Sequence, residues 1–141
     1  ARQSIVLLQN NHNFLPLESI SPTTRIAVIG QACNSVPLMA GGWTVRWQGT
    51  SNRSAFPYGS TVYEEFQRRY PFTNVTFHEA CNVTEDSTCD PVALQEAVTA
   101  AAAADVAIVC IGERHYAEKP GDIYDLTLPG EQIQMVEALA E

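Results

Sequence analysis

Short apolar runs bounded by glycine, proline and acidic residues punctuate the chain, with helical spacing between them. Arg25-Ile26-Ala27-Val28-Ile29-Gly30 is continuous and rich in β-branched residues, the pattern of a strand buried on both faces of a parallel sheet. Within residues 60–70, Val62, Tyr63 and Phe66 recur at helical spacing and Pro71 stops them; Val75-Thr76-Phe77 then reads as a second, shorter strand. Asp90-Pro91 supplies a cap and a first-turn proline for a helix running through the alanines to about Ala104. Val106-Ala107-Ile108-Val109-Cys110-Ile111, closed by Gly112, predicts a third buried strand, and Glu131 restarts a helix. Ahead of all these, Ile5, Val6 and Leu8 lie on a roughly helical spacing within Arg2 to Gln9. They predict an entering helix, followed by a docking loop at Phe14-Leu15-Pro16-Leu17. Gly41-Gly42 excludes a helix at that point and places Trp43 to Gly49 on an extended loop or short strand.

Strands that alternate with helices in this way indicate an α/β domain with a mostly parallel sheet. Ligands of such sheets bind beyond the carboxyl ends of the strands, so attention falls on the loops after Gly30 and Gly112, provided those strands are neighbours. One loop carries both tryptophans of the chain and the other a group of acids.

Composition narrows the function classes. With 141 residues, 45% hydrophobic and 17% charged, the chain is of ordinary globular make-up and long enough to bury a core. The run from Ala100 to Cys110 is broken by Asp105, and no stretch reaches the ~18 apolar residues of a membrane span. A net charge of −8 repels phosphate backbones and anionic lipid, so neither nucleic acid nor membrane is an expected partner. Cys33, Cys81, Cys89 and Cys110 lack zinc-site spacing, and His12, His78 and His115 assemble no metal set, so no metal or cofactor is expected. Cys81 and Cys89 flank a short polar loop that a disulfide would close; Cys110, in a core strand, reads as a free thiol, and Cys33 is open to an unseen partner. Sequons at Asn52, Asn74 and Asn82 sit in polar or turn-like surroundings, are glycosylated if the chain passes through a eukaryotic secretory pathway, and lean the localisation toward secreted. The chain begins without Met or a signal peptide and reads as a piece of a longer protein.

Two stretches carry candidate chemistry. In Gly41-Gly42-Trp43-Thr44-Val45-Arg46-Trp47-Gln48-Gly49, two indoles four residues apart project to one side of an extended segment. They serve either as platforms for the apolar face of a sugar ring or as plugs of the core; the flanking glycines and Arg46 have no part in a plug. In Gly112-Glu113-Arg114-His115-Tyr116-Ala117-Glu118-Lys119-Pro120-Gly121-Asp122, three carboxylates on one loop repel one another. Such repulsion raises the pKa of the least solvated acid toward that of a general acid, while the plain alternative is three solvated loop acids. His115 is a shuttle, a ligand or an ordinary loop residue. The dinucleotide fingerprint fails after Gly30, where Gln31-Ala32-Cys33 follows, and no phosphate-loop or serine-hydrolase motif occurs.

In sequence order these motifs resemble glycoside hydrolase family 3, specifically the α/β sandwich domain of its exo-β-glucanases and β-glucosidases. The matching segments are Ser4 to Asn10 with Leu15-Pro16-Leu17, the strand Arg25 to Gly30, Gly41-Gly42-Trp43-Thr44 through Trp47-Gln48-Gly49, and Glu113, Tyr116, Glu118, Gly121-Asp122 and Leu128-Pro129 with Gln132. The resemblance implies a three-layer α/β/α sandwich, incomplete over residues 1–141, with residues 1–20 leading in from a (β/α)8 barrel domain. It implies a retaining exo-hydrolase of β-linked glucosides or glucans whose aspartate nucleophile sits on that barrel, outside these residues. Glu118 takes the position of the general acid/base and Trp47 that of the aromatic wall over the leaving-group sugar, with Trp43 packing at the base of the loop; Trp43 and Arg46 stand with Trp47 as the substrate-binding candidates. Glu113, Tyr116 and Asp122 are loop supports, and the two acids would help raise the pKa of Glu118. Two alternatives stand beside this reading, a noncatalytic carbohydrate-binding or scaffolding domain and a β-xylosidase of the same family. On the leading reading the 141 residues alone are inactive.

Overall fold

The computed structural model describes residues 2–141 and is built on a parallel three-stranded sheet. The strands are β1 (Arg25–Ile29), β2 (Asn74–His78) and β3 (Val106–Val109), in the order β2-β1-β3. The helices are α1 (Val36–Ala40), α2 (Val62–Arg69), α3 (Pro91–Ala103) and α4 (Gln132–Ala140). Because β1 is central, its alternate residues build two cores. Ile26 and Val28 meet Val62, Tyr63 and Phe66 of α2 on one face; Ala27 and Ile29 meet Ala97 of α3 and Met135 of α4 on the other. The result is a parallel sheet of the kind the alternating pattern predicts, in the α/β/α layering that the resemblance implies.

Local chemistry explains the helix boundaries. Thr61 and Glu64 form a reciprocal capping box at the start of α2, with Glu64 N–H donating to Thr61 Oγ1 at 3.1 Å and Thr61 N–H donating to Glu64 Oε2 at 2.8 Å. Asp90 Oδ1 accepts from the amides of Val92 and Ala93 at 3.0 and 2.8 Å, opening α3 on its first-turn proline. A short helix that the hydrophobic pattern did not announce, α1, starts at Ser35, whose hydroxyl accepts from Leu38 N–H, and ends at Ala40, one residue before Gly41.

Four expectations need correction. The entering helix over Arg2 to Gln9 is a single 3₁₀ turn at Arg2–Ser4, and Ile5 to Leu8 are exposed. Without a cap or a face to bury, one apolar stripe is too short to hold a helix in water. Strand β3 is not buried on both faces: it lies at the sheet edge, and its exposure alternates, with Ala107 and Val109 open. Cys110 is not a free thiol, nor does Cys33 seek an outside partner, because the two are joined to each other. Sequence separation hides this pair; the parallel register Ile29↔Val109 brings the ends of β1 and β3 together and sets the two Cα atoms 5.2 Å apart. Cys81 and Cys89 form a second disulfide at the base of the polar excursion before α3. Lastly, residues 43–49 form a tight turn, not an extended segment.

The β1 and β3 exits touch. Cys110 N–H donates to Ile29 C=O at 2.9 Å, and a Cβ on Gly30, at φ +97°, would stand 2.2 Å from the Cys110 carbonyl oxygen. Beyond β3, fully buried Gln132 at the start of α4 brackets Gly112: its Oε1 accepts from Gly112 N–H at 3.0 Å and its Nε2 donates to Gly112 C=O at 2.8 Å. This amide fixes the root of the loop that follows.

Two measurements check the arrangement. Non-reducing peptide mapping is expected to return Cys33–Cys110 and Cys81–Cys89 and no other linkage among these cysteines. Gln132→Leu, close in volume but unable to pair with Gly112, is expected to cost about 1–3 kcal/mol in denaturant unfolding, the usual cost of stranding backbone polar groups.

Candidate functional site

The loops leaving β1 and β3 are bound to each other by polar contacts. The tryptophan loop, residues 41–49, folds back on itself through Trp43 N–H donating to Trp47 C=O at 2.9 Å, and Gly49 N–H donates to Arg46 C=O at 3.0 Å. The indole centroids stand 6.4 Å apart at 59°. Both rings are exposed, Trp43 at 69% and Trp47 at 52%, so neither plugs the core and Trp43 does not pack at the base of its loop. Trp43 and Val45 adopt φ of 56° and 65°, strained values for residues with a Cβ. Arg46 extends into solvent and, among the described residues, has no side-chain hydrogen bond or ion pair.

The acid loop, residues 113–122, lies across it. Gln48 Nε2 donates to Ala117 C=O at 2.9 Å while Gln48 Oε1 accepts from Ala117 N–H at 3.0 Å, so one side-chain amide satisfies both backbone groups of a buried residue. Trp47 and Glu118 each stand one residue from this pair. His115 Nδ1 lies 2.8 Å from Gln48 C=O and its Nε2 2.9 Å from Ser51 Oγ. The backbones are so close that a Cβ on Gly42 would stand 1.8 Å from Tyr116 C=O, and one on Gly49 would stand 2.8 Å from the His115 Cβ. Sequence reasoning missed Gln48 and Ser51 and left His115 undecided; the one signal was a polar Gln between an aromatic and a glycine, where a solvated side chain needs neither neighbour.

Glu118 is exposed, and its carboxylate makes no hydrogen bond or ion pair among the described residues. Its backbone is unusual: φ is 55° and ψ −143°, a conformation that costs a residue other than glycine about 1–3 kcal/mol. The turn Lys119–Gly121 that follows is closed by Gly121 N–H donating to Glu118 C=O at 2.7 Å and Asp122 N–H to Lys119 C=O at 3.1 Å. Glu113 and Tyr116 are paired, the phenol O–H donating to Glu113 Oε2. That bond, then burial and the carboxylate's charge, raise the Tyr116 phenol above its ordinary pKa, against the opposing pull of Arg114. Glu113 is thus engaged within its own loop, and Arg114 reaches out to Glu85 at 3.6 Å.

Glu113, Tyr116 and Asp122 also border a cavity of about 340 Å³ shared with Arg114 and Tyr124, but neither tryptophan nor Glu118 lines it. The tryptophan platform and the free carboxylate therefore sit on open surface. No grouping of three or more His, Cys, Asp or Glu side chains suited to a metal occurs among the described residues. Of the sequons, Asn52 is exposed with its Oδ1 accepting from Ser54 N–H, and Asn74 is exposed at the start of β2. Asn82 is half-buried, with its amide tied to Thr88 and its Oδ1 also accepting from Thr84.

Comparison with known proteins matches this arrangement to one family. The profile of the glycosyl hydrolase family 3 C-terminal domain covers residues 5–141. A lysosomal beta glucosidase of Dictyostelium discoideum is 34% identical over 147 residues, covering all of this chain and 17% of that protein. Beta-D-xylosidase 3 of Arabidopsis thaliana is 33% identical over 141 residues, 99% of this chain and 16% of that protein. The crystal structure of an exo-1,3/1,4-beta-glucanase from a Pseudoalteromonas species superposes with a TM-score of 0.66 at 32% identity, over 96% of this chain and 15% of that one. The chain thus spans roughly a sixth of the length of the curated relatives it matches. With the family profile spanning nearly every residue and the α/β layers superposing on a solved structure, the chain belongs to the glycosyl hydrolase family 3 C-terminal domain family.

Proposed function

We propose that this chain is the part of a retaining, exo-acting β-glucosidase or β-glucan hydrolase that supplies the general acid/base, Glu118, to an aspartate nucleophile on a (β/α)8 barrel domain. The observation that carries the reading is the pairing of Gln48 with Ala117, which holds an exposed indole and an exposed, unpartnered carboxylate on facing loops. An indole face covers the apolar side of the leaving-group sugar while the carboxyl reaches its glycosidic oxygen. In the first step the acid protonates that oxygen as the nucleophile takes the sugar; in the second the carboxylate removes a proton from the incoming water. Exposure of Ile5, Val6, Leu7, Leu8 and Phe14 suits a leading segment that docks on another domain. The names of the β-glucosidase and glucanase relatives support the substrate class, and the plant β-xylosidases favour a pentoside-cleaving variant as the second reading.

We also assign the parent protein to the secretory pathway. Two disulfides in 141 residues suit an oxidising compartment, and Asn52 and Asn74 present exposed sequons.

In the full-length protein, Glu118→Gln is expected to lower kcat on a β-linked glucose disaccharide by about 10²- to 10⁴-fold, the usual share of general acid–base catalysis. Within this domain the substitution should cost little stability, because the side chain is exposed and, among the described residues, unpaired. Full turnover by this variant sinks the assignment. The ratio of kcat/KM on a β-glucoside to that on the matching β-xyloside decides between the two substrate readings.

A further inference from the structure

One side chain that ties the two loops together is left without a role by the acid/base assignment. His115 is half-buried and uses both ring nitrogens across the loop boundary, Nδ1 toward Gln48 C=O at 2.8 Å and Nε2 toward Ser51 Oγ at 2.9 Å. A carbonyl only accepts, so Nδ1 carries the proton, and in the neutral ring Nε2 accepts from the Ser51 hydroxyl. The ring is wedged as well as bonded: Gly49, at φ +79°, has no room for a Cβ because the His115 Cβ and Cγ would lie 2.8 and 2.9 Å from it. Gln48 is thereby held twice, by its carbonyl to His115 and by its amide to Ala117. Between them these contacts span residues 48–51 on one loop and 115–117 on the other, with Trp47 and Glu118 at the two flanks.

From this geometry we propose that His115 is a positioning residue that fixes the tryptophan loop against the acid loop, so that the indole of Trp47 and the carboxyl of Glu118 address the same leaving group. The proposal rests on the acid/base reading of Glu118. His115 touches neither substrate nor reacting atom; it acts through Gln48 and Ser51. Its effect is therefore confined to reactions that need both an aglycone held on the indole and a proton delivered to the departing oxygen. A β-linked glucose disaccharide needs both. β-Glucosyl fluoride has no aglycone ring, and its fluoride departs with little help from an acid.

The test measures kcat/KM on these two substrates with the full-length protein and its Glu118→Gln, His115→Ala, His115→Asn and Ser51→Ala variants. His115→Ala is expected to lower the disaccharide value by about tenfold or more, the scale of losing positioning hydrogen bonds near a reacting group, with less than about a twofold change on the fluoride. His115→Asn, whose amide N–H still reaches toward Gln48 C=O, should recover most of the loss. Equal losses on both substrates, or none on the disaccharide, overturn the proposal, since a merely structural defect lowers both together. Glu118→Gln separates the two levels. If it discriminates between the substrates while His115→Ala does not, the acid assignment stands and the positioning role falls; if it fails to discriminate, both fall. Should His115→Ala not fold, Ser51→Ala removes only the outer bond and is expected to shift the substrate ratio by about two- to fivefold, the worth of one such bond; an unchanged ratio then overturns the proposal.

Discussion

The structure depends first on β1 and β3 lying side by side in parallel, with Ile29 opposite Val109 and the Cys110 amide bonded to the Ile29 carbonyl. The order β2-β1-β3 puts β2 on one side of β1 and β3 on the other, so the exits of β1 and β3 are neighbours. Gly30 makes the contact close enough that no side chain fits between the exits, and the Cys33–Cys110 disulfide secures it just beyond. Both tryptophans and the acid loop with Glu118 follow from these two exits. A helix or strand shifted elsewhere alters stability; a change here moves the indoles relative to the carboxyl.

Beyond these exits the loops are joined by hydrogen bonds and backbone contact, not by an apolar core. Each neutral bond is worth only about 1 kcal/mol, but a side chain such as Gln48, which satisfies both polar groups of buried Ala117, leaves no comparably good alternative position. That directional rigidity offsets the unfavourable dihedrals at Trp43, Val45 and Glu118, which no local preference of those residues supports. The exposed residues at the site are thus supported by neighbours whose polar groups are already committed.

The layers were legible in the sequence because burial is periodic: runs of β-branched residues ended by glycine marked β1 and β3, and the Asp90-Pro91 cap marked α3 to within a residue. What misled was the same signal taken too far. An apolar run reports apolar surroundings without saying whether one face or two is covered, so the edge strand β3 read like the central β1. Five residues from Val36 to Ala40 are too few to show a helical period, and Ile5 to Leu8 show one without the cap and packing that a helix needs. The Cys33–Cys110 pair and the contacts of Gln48 and His115 join residues about 65 to 80 positions apart, and a single sequence carries no trace of such pairing until strand order is known. Glu118 and Trp47 were visible as candidates by residue type and by family resemblance, and Arg46 by residue type; the contacts of Gln48 and His115 beside them were not.

The steric closeness at Gly42 and Gly49 separates two kinds of freedom in this surface. Gly42 and Gly49 have no room for a side chain, while Trp43, Arg46 and Trp47 project outward and Glu118 and Lys119 stand on an exposed turn. Outward side chains can be exchanged, one at a time, without displacing the backbone beneath them. The domain therefore keeps one backbone framework fixed under a surface whose chemistry is free to change.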